Sequence, residues 1–207
     1  MSKYDKEYFF LLKPNDREDL PSLTPDENTA TRQFRFKPQS AGSAPLVFFN
    51  GARDQQKKMG VKVIAVPPPI LFDGANLVVN ENIIKKLMHI EIPYMHIHPA
   101  VYIHDDGKWH ENYWYIAFSQ QFDCWDRDTS VYLPDPLSFG ATESYTVLDF
   151  HLNDNLMEAT PINQRLLFEM GSTTTSDLVC HESVLGIFAV NALSGAKAVR
   201  IDKYASE

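Results

Sequence analysis

Residues 95–118 leave the chain few choices, because their character alternates with a period of two and a turn signal sits in the middle. The odd positions Met95, Ile97, Pro99, Val101 and Ile103 are apolar, while His96, His98, Ala100, Tyr102 and His104 are mostly polar or aromatic. After Asp106-Gly107 the alternation resumes, with Trp114, Ile116 and Phe118 set against Tyr113, Tyr115 and Ala117. Asp-Gly between two such runs is the mark of a two-residue hairpin turn. That turn places His104 opposite Trp109, Tyr102 opposite Glu111, Ala100 opposite Tyr113 and His98 opposite Tyr115 on one face. Pro99 with Trp114, Ile97 with Ile116 and Met95 with Phe118 share the other. The second face is expected to be core and the first to point outward.

The hairpin runs straight into an acidic turn, where Asp123, Asp126 and Asp128 surround Cys124 and Trp125. Three carboxylates cannot be buried unpaired, so part of this turn must meet water, a cation or a partner. Arg127 stands ready to pair with one of them. The spacing Asp-x-x-Asp-x-Asp lacks the turn glycine and closing glutamate of a calcium loop, so a solvated turn is expected.

On either side of this centre, short elements alternate with turn residues. Residues 4–12, 34–37, 46–50, 61–66, 145–152 and 198–201 read as strands. The polar stretch 14–31 and the segment 51–60 read as exposed loop, and Pro67, Pro68 and Pro69 end a strand firmly. Asn80 is placed to cap a helix that buries Ile83, Ile84, Leu87 and Met88. The run Leu77-Val78-Val79-Asn80-Glu81 has an echo in Leu178-Val179-Cys180-His181-Glu182, and a second helix is expected over residues 181–193, closed by Gly195. The class implied is α+β: a mixed, largely antiparallel sheet with two strand–helix units packed on it. A chain of 207 residues with 44% hydrophobic and 22% charged residues forms one globular domain, or two fused halves, 1–93 and 94–207.

The formal charge of -8 opposes binding to a phosphate backbone, so nucleic acid is not an expected partner. The same acidity suits a basic partner, and is also what solubility alone produces. Cys124 and Cys180 have no CxxC pairing and are expected as free thiols in a reducing compartment. No segment reaches the ~18 apolar residues of a membrane span, and the N-terminus lacks the pattern of a signal peptide. A cytoplasmic protein without a membrane partner is expected; its oligomeric state is unreadable.

Catalytic signatures are missing: there is no Gly-x-Ser-x-Gly elbow, phosphate-cradling glycine loop or nucleotide fingerprint. Cys180 and His181 are adjacent, and adjacent side chains point apart. No catalytic residue, metal or cofactor is therefore expected. The alternative from another class is a small metal-dependent enzyme of the cupin kind using His96, His98 and His104, since His-x-His presents two imidazoles to one side. In the hairpin register, His110 points to the face opposite His96 and His98.

From residue 111 to residue 204 the order of features resembles a bacterial polymorphic-toxin immunity family, the eleventh immunity class, first described from a myxobacterial protein as a domain of unknown function. The residues that carry the resemblance are Asn112-Tyr113 to Phe118, Phe122-Asp123-Cys124-Trp125-Asp126 with Ser130, and Leu148-Asp149-Phe150. Arg165-Leu166-Leu167-Phe168, then residues 178–184 and Gly195, follow in the same order. The resemblance implies an antidote to a secreted toxin, type VI effectors included, that binds without catalysing anything. Its partner would be a cognate toxin domain, basic at its active site.

The contact surface expected for such a partner joins His104, Trp109, Glu111, Tyr113 and Tyr115 on the hairpin to Asp123, Asp126 and Asp128 in the acidic turn. Exposed Tyr and Trp are enriched among binding hot spots, and carboxylates steer a basic partner. The competing expectation is that a second layer of the fold covers these aromatics and makes them core.

Overall fold

The computed structural model describes residues 2–139 and 142–204. In chain order the first elements are β1 (Tyr8–Leu12), β2 (Leu23–Pro25), α1 (Glu27–Ala30), β3 (Leu46–Asn50) and α2 (Arg53–Lys58). Next come β4 (Ile70–Asp73), β5 (Asn76–Asn80), α3 (Glu81–Leu87), β6 (Met95–Ile103) and β7 (Trp109–Phe118). The remainder are β8 (Val131–Tyr132), β9 (Leu137–Phe139), β10 (Thr142–Ser144), β11 (Val147–Asp149), α4 (Asp154–Ala159), β12 (Leu167–Glu169), β13 (Leu178–His181), α5 (Glu182–Leu185) and β14 (Lys197–Arg200).

The fold is α+β, with a mixed and mostly antiparallel sheet. Six strands form the larger sheet in the order β2-β3-β6-β7-β5-β4, and four form the smaller one in the order β12-β13-β1-β14. Among the described residues the strands pair antiparallel except β3 with β6, which run parallel across the long connection between them, and two isolated parallel bridges, Phe122 with Met170 and Tyr145 with Thr173. Because β6 and β7 lie in the middle of the larger sheet, a cut between residues 93 and 94 would remove its centre. The halves 1–93 and 94–207 are therefore not separate folding units.

Alternation along each strand decides what lies between the layers. In β1, Leu11 faces a core shared with the larger sheet, while Tyr8 and Phe10 face a second core behind the smaller sheet. The shared core holds both strand–helix units: Val79, Ile83, Ile84 and Leu87 from the first, Leu178, Cys180, Val184 and Phe188 from the second. Their kinship is structural as well as sequential. Asn80 accepts a hydrogen bond from Ile83 N at 3.2 Å, and His181, at the matching position, accepts one from Ser183 N at 3.2 Å.

Several expectations need correction. Met88 ends α3 and is 65% exposed. The second helix stops at Leu185, because the amides of Ile187, Phe188 and Ala189 bond back three residues and not four. This tightened turn carries Phe188 into the core. Residues 4–6 form part of a 3-10 turn ahead of β1, and 14–31 contains β2 and α1, whose N-cap Asp26 bonds Thr29 N at 2.7 Å. Residues 51–60 carry α2. Residues 34–37 and 61–66 form no strand. In the 145–152 segment a register shift lies between Val147 and Asp149, leaving Val147 and Phe150 buried and Leu148 exposed.

The two loops misread as strands supply a third layer. Phe34 packs edge-on against Phe48 and Tyr115, with ring centroids at 5.8 and 5.1 Å. Ile64 and Pro68 offer their carbonyls to His104 and Tyr113 at 3.0 and 2.8 Å. Loops 31–45 and 61–68 thus close over one face of the larger sheet and bury Leu46, Phe48, Tyr102, Tyr113 and Tyr115.

Candidate functional site

The base of the β6–β7 hairpin has the expected register, from Met95 opposite Phe118 to Ala100 opposite Tyr113. Above it the register slips by one: Tyr102 lies opposite His110 and Ile103 opposite Trp109. The cause is the turn. Gly107 N bonds His104 O at 2.8 Å and His104 N bonds Lys108 O at 2.9 Å, so three residues, Asp105 to Gly107, form the loop, with Gly107 at φ 84°. A three-residue loop ending in a left-handed glycine is the next commonest hairpin connection after the two-residue kind. Glu111 and Asn112 then stand together opposite Val101, a β-bulge that restores the register below.

The bulge sorts the expected contact residues into different environments. Tyr113 and Tyr115 are 3% and 1% exposed, so the competing expectation holds for them: they are core. Their phenols are satisfied inside it, Tyr113 by Pro68 O and Tyr115 by Asp73 Oδ2 at 3.0 Å, and burial raises both above the ordinary phenol range. His104 is buried as well, with Nε2 on Ile64 O and Nδ1 3.2 Å from the Asp106 carboxylate. Asp106 is held below its ordinary value, first by the Lys108 amide and also by His104. Trp109 and Glu111 remain exposed, Trp109 at 58%.

The acidic turn is built from different bonds and lies elsewhere. Trp125 is buried, its indole N–H on Gly171 O at 3.2 Å, and Arg127 lies over its ring at 3.8 Å. The Arg127 guanidinium grips Asp123 with bonds of 2.5 and 2.7 Å. The Asp123 backbone packs so close to Gly171 that a Cβ there would meet Asp123 N at 2.8 Å. Asp126 caps the turn, accepting from Asp128 N and Thr129 N at 2.9 and 3.1 Å, and Asn153 donates to it at 3.3 Å. Asp128 alone of the three is exposed with its carboxylate uncommitted among the described residues. Trp109 opens the ten-residue strand β7, and the acidic turn follows that strand's far end. At ~3.3 Å per residue the strand between them is about 30 Å long, and Trp125 anchors the turn in the core behind the smaller sheet, so the two do not form one surface.

A different neighbour joins Trp109. The register places Phe49 of β3, Ile103 of β6 and Trp109 of β7 side by side in one row on the face opposite Tyr115. Phe49 is 40% exposed and Ile103 half-buried. In the next rows Val47 lies beside Val101, and Pro99 beside half-buried Trp114. Helix α3 and the smaller sheet cover this face over β4, β5 and the lower part of β7, where Ile70, Phe72, Leu77, Val79, Ile116 and Phe118 are buried, and Met95, Ile97 and Trp114 pack against the same core. Val101 is buried as well, so the uncovered apolar part of this face is the end row of Phe49, Ile103 and Trp109. Asp105, Asp106 and Glu111 border it, against Arg53 and Lys108. Phe49 went unrecognised because both Phe48 and Phe49 suit a strand; the alternation of β3 would have sent them to opposite faces, but it does not say which face is covered.

The strand histidines are dispersed. Nε2 of His98 lies 3.0 Å from Ala44 O and 3.2 Å from an Arg32 nitrogen, and His104 is committed as described. Among the described residues no three His, Cys, Asp or Glu side chains come together as a metal site would need. The thiols of Cys124 and Cys180 are buried, and burial pushes both up, Cys180 to about 12. No described helix is long and apolar enough to cross a membrane.

Comparison with models of known protein families found no match, and comparison with curated proteins found none either.

Proposed function

We propose that the protein works by binding another protein through the uncovered end row of its larger sheet. Specifically, it acts as a cytoplasmic immunity protein that occludes the active site of a type VI or related polymorphic toxin. The observation that carries the binding part is the row Phe49, Ile103, Trp109, apolar and in part exposed on three neighbouring strands. A contiguous apolar patch rimmed by polar groups is what a protein contact uses, and Trp is the residue most enriched at its energetic centre. The acidic residues beside it, Glu111 with Asp105 and Asp106, suit a basic cleft. The toxin part rests on the order of features between residues 111 and 204.

Co-expression tests it. A toxin domain encoded beside this chain should be lethal alone, harmless with the parent protein, and recovered in a complex with it. Failure of the purified pair to associate, together with no protection, would end the proposal.

A further inference from the structure

A second surface has the opposite charge. A cleft of about 710 Å³ opens where β14 forms the edge of the smaller sheet, between the end of β1, the β4–β5 turn and the loop before β13. Leu11 and Phe72, both buried, help to line it, and Lys13, Lys197 and Lys203 stand around it with Asp177 as the one carboxylate. In a chain of formal charge -8, this is a local reversal of sign. The neighbouring Asp202 carboxylate is bonded to Arg200, at 2.5 and 3.0 Å, and feels Lys203 only through space. Among the described residues none of the three lysines forms an ion pair with a carboxylate.

We propose that this cleft binds a small multivalent anion of the phosphate-ester or polycarboxylate kind. Its volume lies in the range of small-molecule sites, and ammonium groups gathered around an apolar floor leave positive charge that no carboxylate among the described residues pairs directly. Lys13 shows the effect: it is half-buried, its Nζ reaches the Pro21 carbonyl at 3.3 Å and no carboxylate among the described residues, and burial lowers it below the ordinary lysine range. Asp177 is the one opposing charge in the lining; burial raises its carboxyl, and a hydrogen bond from Thr175 pulls the other way and occupies part of it. The hydroxyl of Tyr204, also in the lining, can donate to the anion's oxygens. The inference is independent of the toxin-binding face.

Calorimetric titration of the full chain with pyrophosphate, and separately with citrate, at constant ionic strength tests it. Saturable binding of one anion per chain is expected, with Lys197→Ala and Lys203→Ala each weakening it about tenfold or more. Lys86→Ala, on α3 and outside the cleft, should leave it unchanged. Lys203 is exposed, so its replacement reads binding without disturbing the fold. Stronger binding of pyrophosphate identifies the phosphate class, and stronger binding of citrate the carboxylate class. No saturable heat with either anion at millimolar concentration would overturn the proposal, and so would equal weakening by Lys86→Ala.

Discussion

Replacing Asp73 by Ala should cost about 2–4 kcal/mol, with much of the cost arising at Tyr115 and not at the ion pair. Asp73 ends β4 and is 3% exposed; its carboxylate accepts from Arg35 at 2.6 and 2.8 Å and from the Tyr115 hydroxyl at 3.0 Å. The Arg35 side chain is 44% exposed, so a released guanidinium can turn into water and forfeits about 1 kcal/mol. Tyr115 has no such escape. Its ring is stacked on Phe48 at 5.7 Å, held edge-on by Phe34, and 1% exposed, so the hydroxyl would be stranded at about 1–3 kcal/mol. Tyr115→Phe alone should cost about 1 kcal/mol, because Asp73 keeps Arg35. The decisive species is the double variant Asp73→Ala/Tyr115→Phe. With no hydroxyl left to strand, it should be about 1–2 kcal/mol more stable than Asp73→Ala in urea unfolding followed by both circular dichroism and fluorescence. If adding Tyr115→Phe lowers stability further, the stranded hydroxyl is not what Asp73 prevents.

Other expectations follow from the same contacts. Burial raises the Glu169 carboxyl, with Gln121 at 3.0 Å pulling the other way, so the folded chain holds that proton more tightly than the unfolded chain. Stability should therefore fall as pH rises from the ordinary glutamate range through the raised value, and Glu169→Gln should flatten that slope and be more stable at neutral pH. Asp126→Ala should cost about 1 kcal/mol or more through its lost amide bonds, while Asp128→Ala should be nearly neutral; thermal unfolding separates them. Asn80→Ala should cost about 1 kcal/mol by uncapping α3, and Asn80→Asp should retain most of it.

What the sequence conveyed was mostly local. Alternation and Asp106-Gly107 gave the hairpin and its lower register, since both depend on neighbours in the chain. The slip above Ala100 depends on Asp105 joining the loop, a choice between two turn geometries of similar cost. Both strand–helix units were readable, the first with its Asn80 cap, but neither the His181 cap nor the length of the second helix was: it ends at Leu185 and not at Gly195, so that Phe188 can enter the core. The acidic turn was visible as a turn, and Arg127 as a partner for one of its carboxylates, though not that this one is Asp123. Layering was beyond reach: Phe34 and Phe36 alternate like a strand, yet Phe34 packs from a loop and Phe36 is 67% exposed. Tyr113 and Tyr115 carry a polar tip on an apolar body, so their own chemistry suits an interface or a core equally. What decided it was acceptors more than 40 residues away, Pro68 and Asp73.

The affinity of a cognate toxin domain for Trp109→Ala and Phe49→Ala proteins, set beside Asp128→Asn, tests the binding face most directly. Each apolar replacement should cost about 2 kcal/mol or more in binding; the unfolding midpoint should be unchanged for Trp109→Ala, at 58% exposed, and lowered only modestly for Phe49→Ala, at 40% exposed. Asp128→Asn, in the turn beyond the far end of β7, should bind like the parent. Parent-like affinity in both Trp109→Ala and Phe49→Ala, or a larger loss in Asp128→Asn, would place the partner elsewhere.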